Sequence, residues 1–203
     1  MVDNVYYGKI ATGILILIYF IDSKYNILKV SSKIPENMIN KNKNILLIIA
    51  FLLLVFIGYI SDIFTYNYFN LDKINDKISE CCYEKSYWDA ILAGISEELV
   101  FRLVIFNIIL IKIFKLSLNK SIIISSILFG LMHINQYISF GTNIYTAIST
   151  IISSIPSGAI FAYVYANTNL TTAIILHFLY DMFCFVFLRC NPTIYKKMLF
   201  INH

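Results

Sequence analysis

Apolar runs long enough to cross a membrane recur along this chain of 203 residues, and they constrain its fold more than any other feature. An α-helix rises 1.5 Å per residue, so about 20 apolar residues span a hydrocarbon core of about 30 Å. The runs lie at 6–21, 44–66, 88–111, 121–140, 144–166 and 171–188. Because backbone polar groups in lipid must bond internally, these runs predict an all-α, polytopic integral membrane bundle of about six transmembrane helices.

The composition agrees with a membrane protein. Hydrophobic residues make up 59% of the chain and charged residues 14%, whereas soluble domains average about 45 to 50% and about 25%. The lysines are spread over loops, which argues against a nucleic-acid partner. The four cysteines do not have the spacing of a disulfide framework, and we interpret them as thiols. The abundance of Ile, Asn, Lys and Tyr fits an AT-rich bacterial genome, so the bacterial cytoplasmic membrane is the expected location.

The chain divides into three parts by hydropathy and charge. Residues 1–87 are predicted to hold the N-terminal transmembrane helices and an interfacial connector, 88–188 the core that carries the intramembrane ionisable residues, and 189–203 a C-terminal tail. The charges alternate within 67–87, which indicates either an amphipathic interfacial helix or a solvated connector. No small-residue cleavage site follows the first run, so we expect a retained helix and not a secretory signal.

An acidic cluster interrupts the third apolar run. Glu97, Glu98 and Arg102 lie where a membrane helix is expected to carry no charge, and intramembrane charges are costly and usually functional. Glu98 and Arg102 are four residues apart in the favourable order for an ion pair along one helix face. Glu97 points about 100° away from Glu98 and lacks that partner. It is therefore free to face a cavity and is the candidate general base.

Two further motifs place histidines inside later runs. His133 follows Phe129 by one helical turn, and Gly130 lets another helix come close. His133 is then either functional or a hydrogen-bonded packing residue. His177 and Asp181 are four residues apart and share one helix face, so they can bond to each other or to a common target. The alternative is that Asp181 only orients His177 for packing.

These side chains allow two kinds of hydrolytic site. Counted from the helix starts, Glu97, His133 and His177 lie about 10 to 20 Å deep and can meet in one layer inside the bundle. They could bind zinc together as a His2Glu set. Without a metal, Glu97 would deprotonate a water while the histidines and Asp181 stabilise the oxyanion. The sequence has no His-Glu-x-x-His metalloprotease motif, so we favour the version without a cofactor and keep zinc as the alternative.

Three ordered motifs carry a family resemblance. They are Glu97-Glu98-x-x-x-Arg102, Phe129-x-x-x-His133 and His177-x-x-x-Asp181. Together they resemble the CPBP family of intramembrane proteases, which includes the type II CAAX prenyl endopeptidases and proteins linked to bacteriocin processing and self-immunity. The resemblance covers about 88–188 and implies that this part is the catalytic core.

The resemblance also implies a role for each matched residue. Glu97 would activate the water, while Glu98 and Arg102 would support its helix. His133 would position or polarise the water, and His177 would help to hold the developing oxyanion.

Asp181 would act beside His177 on the oxyanion, but many family members have Asn at this position. An ionised carboxylate cannot donate a hydrogen bond to an oxyanion. Asp181 is therefore expected to orient His177 or to remain protonated in a desolvated site.

We predict from these features an intramembrane endopeptidase that cleaves a lipidated or hydrophobic leader-bearing peptide, with membrane lipid around it. A bacteriocin self-immunity or peptide-binding protein without proteolysis is the first alternative. A small transporter is the second, although transporters are usually longer and built from repeats.

Overall fold

The computed structural model of the protein describes residues 43–69, 83–134, 144–188 and 191, and within them it is all-helical with no strand. The helices are α1 (Lys43–Phe69), α2 (Tyr83–Glu98, continued by a π-helix over Leu99–Ile113), α3 (Leu118–Met132), α4 (Ile144–Asn167) and α5 (Leu170–Asp181, continued by a π-helix over Met182–Leu188). The prediction of an all-α fold is confirmed for this part of the chain.

Within the described ranges, three helical stretches are long and apolar enough to cross a membrane, judged by length and composition. They are Lys43–Phe64, Ala147–Asn167 and Leu170–Leu188. The run predicted at 88–111 is helical throughout, within α2 and its continuation. The predicted run at 121–140 is helical as the shorter α3, and 135–140 lie outside the described residues. The chain is a membrane protein.

Several predictions fall on residues that the structure does not describe. The run at 6–21 lies outside the described residues, as do Cys81, Cys82, Cys190 and the part of the connector between α1 and α2. Cys184 in the continuation of α5 carries a half-buried thiol and is not part of a disulfide. The count of about six transmembrane helices therefore stays a prediction.

Helix α1 shows how the bundle separates its lipid-facing and core-facing sides. Ile48, Leu52 and Phe56 are about three-fifths exposed, at 61, 60 and 58%. Ala50 and Leu54 on the other side are buried in a hydrophobic cluster with residues of the later helices. Since α1 packs against α4 and α5, its apolar exposed face is the one that would contact lipid.

Glycines set the close approach between helices. A Cβ atom on Gly94 of α2 would lie 3.0 Å from the backbone nitrogen of Phe178 in α5. A Cβ atom on Gly130 of α3 would lie 3.0 Å from the carbonyl oxygen of Ile151 in α4. The predicted close helix approach at Gly130 is confirmed. Small residues at such crossings allow backbones to pack closely in membranes, and the Gly94 crossing brings α5 against the acidic cluster.

Candidate active site

Helix α2 changes its hydrogen-bond pattern within the acidic cluster. The α-helix ends at Glu98 and the wider π-helix begins at Leu99. At its far end, the backbone N–H of Phe114 donates to the carbonyl of Ile109, five residues back, at 2.9 Å. Stretches of π-helix are rare and frequently occur at functional sites. The change from α-helix to π-helix therefore lies directly after Glu97 and Glu98, two of the predicted site residues.

Glu98 and Arg102 form the ion pair that their spacing predicts. The Nε–H of Arg102 donates to Oε2 of Glu98 at 2.9 Å, and both side chains are completely buried. A buried charge is stable only when it is paired and hydrogen-bonded. The predicted pair is confirmed.

The second oxygen of Glu98 bonds to a different helix. Nδ1 of His177 in α5 lies 3.0 Å from Oε1 of Glu98, and because a carboxylate accepts, this nitrogen donates. Glu98 thus links Arg102 to His177, and both of its oxygens are occupied. Sequence reasoning missed this bond because it joins residues 79 positions apart, for which helical spacing carries no signal.

Arg102 is held by one hydrogen bond and by aromatic rings. Its guanidinium carbon lies 5.2 Å from the ring centroid of Phe129 and 5.9 Å from that of Phe161. Such contacts attract a cation to the face of an aromatic ring. Nη1 and Nη2 are buried and have no hydrogen-bond partner among the described residues. The guanidinium therefore bonds to Glu98 through one nitrogen and not as a two-pronged pair.

The other ring nitrogen of His177 faces two carboxylates. Nε2 lies 3.5 Å from Oδ2 of Asp181 and 3.8 Å from Oε2 of Glu97. The predicted meeting of His177 and Asp181 on one helix face is confirmed. Both side chains are more than nine-tenths buried, so these contacts lie inside the bundle and away from bulk solvent.

Glu97 differs from the adjacent Glu98 in exposure and in bonding. Its side chain is 22% exposed, whereas that of Glu98 is 0% exposed. Its contact with His177 at 3.8 Å is too long for a hydrogen bond. Glu97 is therefore the carboxylate that a water molecule could reach, as the sequence predicts for a candidate general base.

His133 lies at the end of α3 and reaches the cluster through an aromatic ring. Its Nδ1 lies 2.9 Å from the carbonyl oxygen of Phe129, so this nitrogen donates and Nε2 is left to bond elsewhere. The ring of Phe129 is 5.2 Å from the His133 ring and 5.9 Å from the His177 ring. The structure thus joins five of the six predicted residues by direct polar contacts and brings His133 beside them across Phe129.

A metal ion at this site would need several donor side chains directed at one point. Among the described residues, no three or more His, Cys, Asp or Glu side chains are grouped so that they could hold a metal ion. Nδ1 of His177 and Nδ1 of His133 already bond to Glu98 and to a backbone carbonyl. Such bonds leave Nε2 of both rings available, as in histidines that bind metals, so the zinc site of Glu97, His133 and His177 stays a prediction for experiment.

One aromatic residue at the site carried no sequence signal. Phe161 of α4 stacks on the imidazole of His177, with ring centroids 4.4 Å apart and planes 17° apart. It is one of 16 phenylalanines in an apolar chain, so composition and periodicity do not distinguish it from a packing residue.

Comparison with protein families gives one match. Residues 86–183 match the Rce1-like family model, described as type II CAAX prenyl endopeptidase Rce1-like. The matched segment includes all six predicted site residues. Comparisons with curated proteins and with solved structures found no match. The family match confirms the resemblance identified from the sequence and indicates a protease of the CAAX type. The match covers just under half of the chain, and it is residues 86–183 that are similar to the Rce1-like family.

Proposed function

We propose that the protein is an intramembrane endopeptidase that hydrolyses a peptide bond in a membrane-associated, prenylated or leader-bearing peptide. Its site would lie inside a bundle of about six transmembrane helices in the bacterial cytoplasmic membrane. One observation carries the proposal: two adjacent glutamates have opposite environments. Glu98 is fully buried and bonded through both oxygens, while Glu97 is partly exposed beside His177.

Glu97 would act as general base in the first step. It takes a proton from a water molecule, and the water oxygen forms a bond to the carbonyl carbon of the substrate. When the tetrahedral intermediate collapses, the C–N bond breaks and the protonated Glu97 gives the proton to the leaving amine. The hydroxyl group of the water thus ends on the new carboxyl group, and its other hydrogen ends on the leaving amine. The exposure of Glu97 supports this role because a base must be within reach of the proton that it removes.

The histidines would have different tasks because of their hydrogen bonds. Nδ1 of His177 donates to Glu98, so Nε2 can donate to an oxyanion only when the ring is the doubly protonated imidazolium. Nδ1 of His133 donates to a backbone carbonyl, so Nε2 of the neutral ring is an acceptor that can orient the attacking water. Asp181, 3.5 Å from Nε2 of His177, would hold that ring edge toward the reacting carbonyl.

Glu98 and Arg102 would support the site without contacting the substrate. Their pair closes the space between α2 and the rings of Phe129 and Phe161. The bond from Glu98 to His177 fixes α5 at the same point. We infer that this link keeps His177 beside Glu97.

The test is cleavage by the full-length chain, purified in detergent, of a fluorogenic prenylated peptide and of an unprenylated hydrophobic leader peptide. Glu97→Gln should lower the cleavage rate at least about 100-fold, because general acid–base groups contribute about 10² to 10⁴. The matched control is Asp89→Asn, which makes the same kind of change at an exposed position of α2. It should cleave like the parent, and thermal unfolding should show that both variants are folded.

The same assay separates the alternatives. Equal rates for Glu97→Gln and the parent would contradict the proposed base. Loss of cleavage on treatment with a chelator, restored by zinc, would favour the metal version. A folded parent protein that binds the peptides but cleaves neither would favour a peptide-binding or immunity role.

A further inference from the structure

The ring of Phe161 lies almost parallel to the imidazole of His177. Their centroids are 4.4 Å apart and their planes differ by 17°. The other aromatic neighbour of His177, Phe129, meets it edge to face at 65°. Phe161 is 1% exposed and belongs to α4, a helix that carries none of the six predicted site residues. Helix α4 therefore contacts the imidazole directly, in addition to the contacts from α2 and α3.

The same ring also lies beside the partner of Glu98. The guanidinium carbon of Arg102 is 5.9 Å from the centroid of the Phe161 ring. Glu98 bonds to both Arg102 and His177. Phe161 thus contacts both Arg102 and His177, the two side chains that bond to Glu98, and it does so from α4.

The imidazole of His177 needs such a contact because its polar bonds alone leave its plane weakly determined. Only the bond from Nδ1 to Glu98, at 3.0 Å, is short. The contacts of Nε2 with Asp181 and Glu97 are 3.5 and 3.8 Å. The torsion that rotates a histidine ring has a broad and roughly two-fold energy profile, so one hydrogen bond permits the ring to tilt. A flat aromatic surface against one face opposes that tilt.

We propose that Phe161 is a positioning residue that fixes the plane of the His177 imidazole. In that plane Nδ1 reaches Glu98 while Nε2 points toward Glu97 and Asp181. The effect on cleavage rests on the endopeptidase function proposed above, whereas the effect on the ring itself does not.

The test compares the parent with Phe161→Leu, Phe161→Tyr and Phe106→Leu. Leucine removes the aromatic face but stays apolar, and tyrosine keeps the face. Phe106 is the matched control because it is also fully buried. Its ring packs on Tyr165 in a hydrophobic cluster separate from that of Phe161. Phe106→Leu therefore removes the same side-chain volume from the bundle at another place.

The first readout is the NMR spectrum of protein labelled with ¹³C at histidine, in which His177→Gln identifies the signal. Protons above a phenyl face are shifted upfield by its ring current. The His177 ring protons should show this shift in the parent, in Phe161→Tyr and in Phe106→Leu, and should lose it in Phe161→Leu. An upfield shift that persists in Phe161→Leu, or that Phe106→Leu removes equally, would overturn the proposal.

The second readout is peptide cleavage. Phe161→Leu should lower kcat about two- to tenfold with little change in KM, the range that follows from the strength of one aromatic pair. Phe161→Tyr should recover most of that loss, and Phe106→Leu should leave kcat near the parent value. An unchanged kcat in Phe161→Leu would overturn the positioning role. If the parent cleaves nothing while the spectra behave as expected, the endopeptidase function fails and the packing role of Phe161 stands.

Discussion

Replacing Arg102 by leucine is expected to lower the free energy of unfolding by about 3 kcal/mol. Removal of one partner from a buried ion pair typically costs about 3 to 5 kcal/mol, since the other charge is left uncompensated. For two reasons, we expect the loss in Arg102→Leu at the lower end of this range. Glu98 keeps its bond to His177 at 3.0 Å. The substitution also removes Nη1 and Nη2, which are buried without a hydrogen-bond partner in the described part of the chain.

A double-mutant cycle tests whether that loss of stability comes from the broken pair of Glu98 and Arg102. Glu98→Gln alone leaves the Arg102 charge buried without its carboxylate, so it should also destabilise. The double variant Glu98→Gln/Arg102→Leu contains neither charge. Its loss should be smaller than the sum of the two single losses by about 1 to 3 kcal/mol, as is typical of side chains in direct contact.

The measurement is equilibrium unfolding of the purified protein in mixed detergent micelles, followed by tryptophan fluorescence or circular dichroism. Lys120→Leu is the control because it removes one positive charge from an exposed position, where substitutions usually change stability by less than about 0.5 kcal/mol. A loss below about 1 kcal/mol in Arg102→Leu would refute the reasoning. Simple additivity in the double variant would refute it as well.

Two further variants test how the site is held. Gly94→Ala should reduce cleavage about tenfold or more, with a smaller effect on the unfolding midpoint. The new Cβ atom would lie 3.0 Å from the backbone nitrogen of Phe178, and a misplacement of about 1 Å can cost about 10² in rate. A kcat equal to that of the parent would show that the helices can move apart at this crossing. Asp181→Asn should keep the cleavage rate within about tenfold of the parent, since an amide can still hydrogen-bond to His177. Asp181→Leu should lower the rate further, and equal rates in the two variants would contradict an orienting role.

The helices were predictable because the apolar runs are long and charge-poor. The runs at 44–66, 144–166 and 171–188 agree to within a few residues with α1, with α4, and with α5 together with its π-helical continuation. The π-helical form of Leu99–Ile113 was not predictable, since its residues are as apolar as those of an ordinary membrane helix. The sequence pattern reports which face is apolar but not how tightly the backbone winds.

The local part of the site was predictable, and its connections across the bundle were not. Helical spacing predicted the pair of Glu98 with Arg102 and the meeting of His177 with Asp181. The bond from Glu98 to His177 joins two helices that cross closely at Gly94, and a residue pattern along one helix cannot report such a crossing. Phe161 was missed for the same reason.

The shared carboxylate of Glu98 has a consequence for sequence change in relatives of this protein. Because Arg102 and His177 bond to the same side chain, loss of Glu98 by mutation would leave the arginine charge buried and the imidazole without its short hydrogen bond. A lineage that abandons one of the three residues is then under pressure to replace the other two. The three positions are therefore expected to evolve as one correlated unit, whereas the lipid-facing positions of α1 can drift independently among apolar residues.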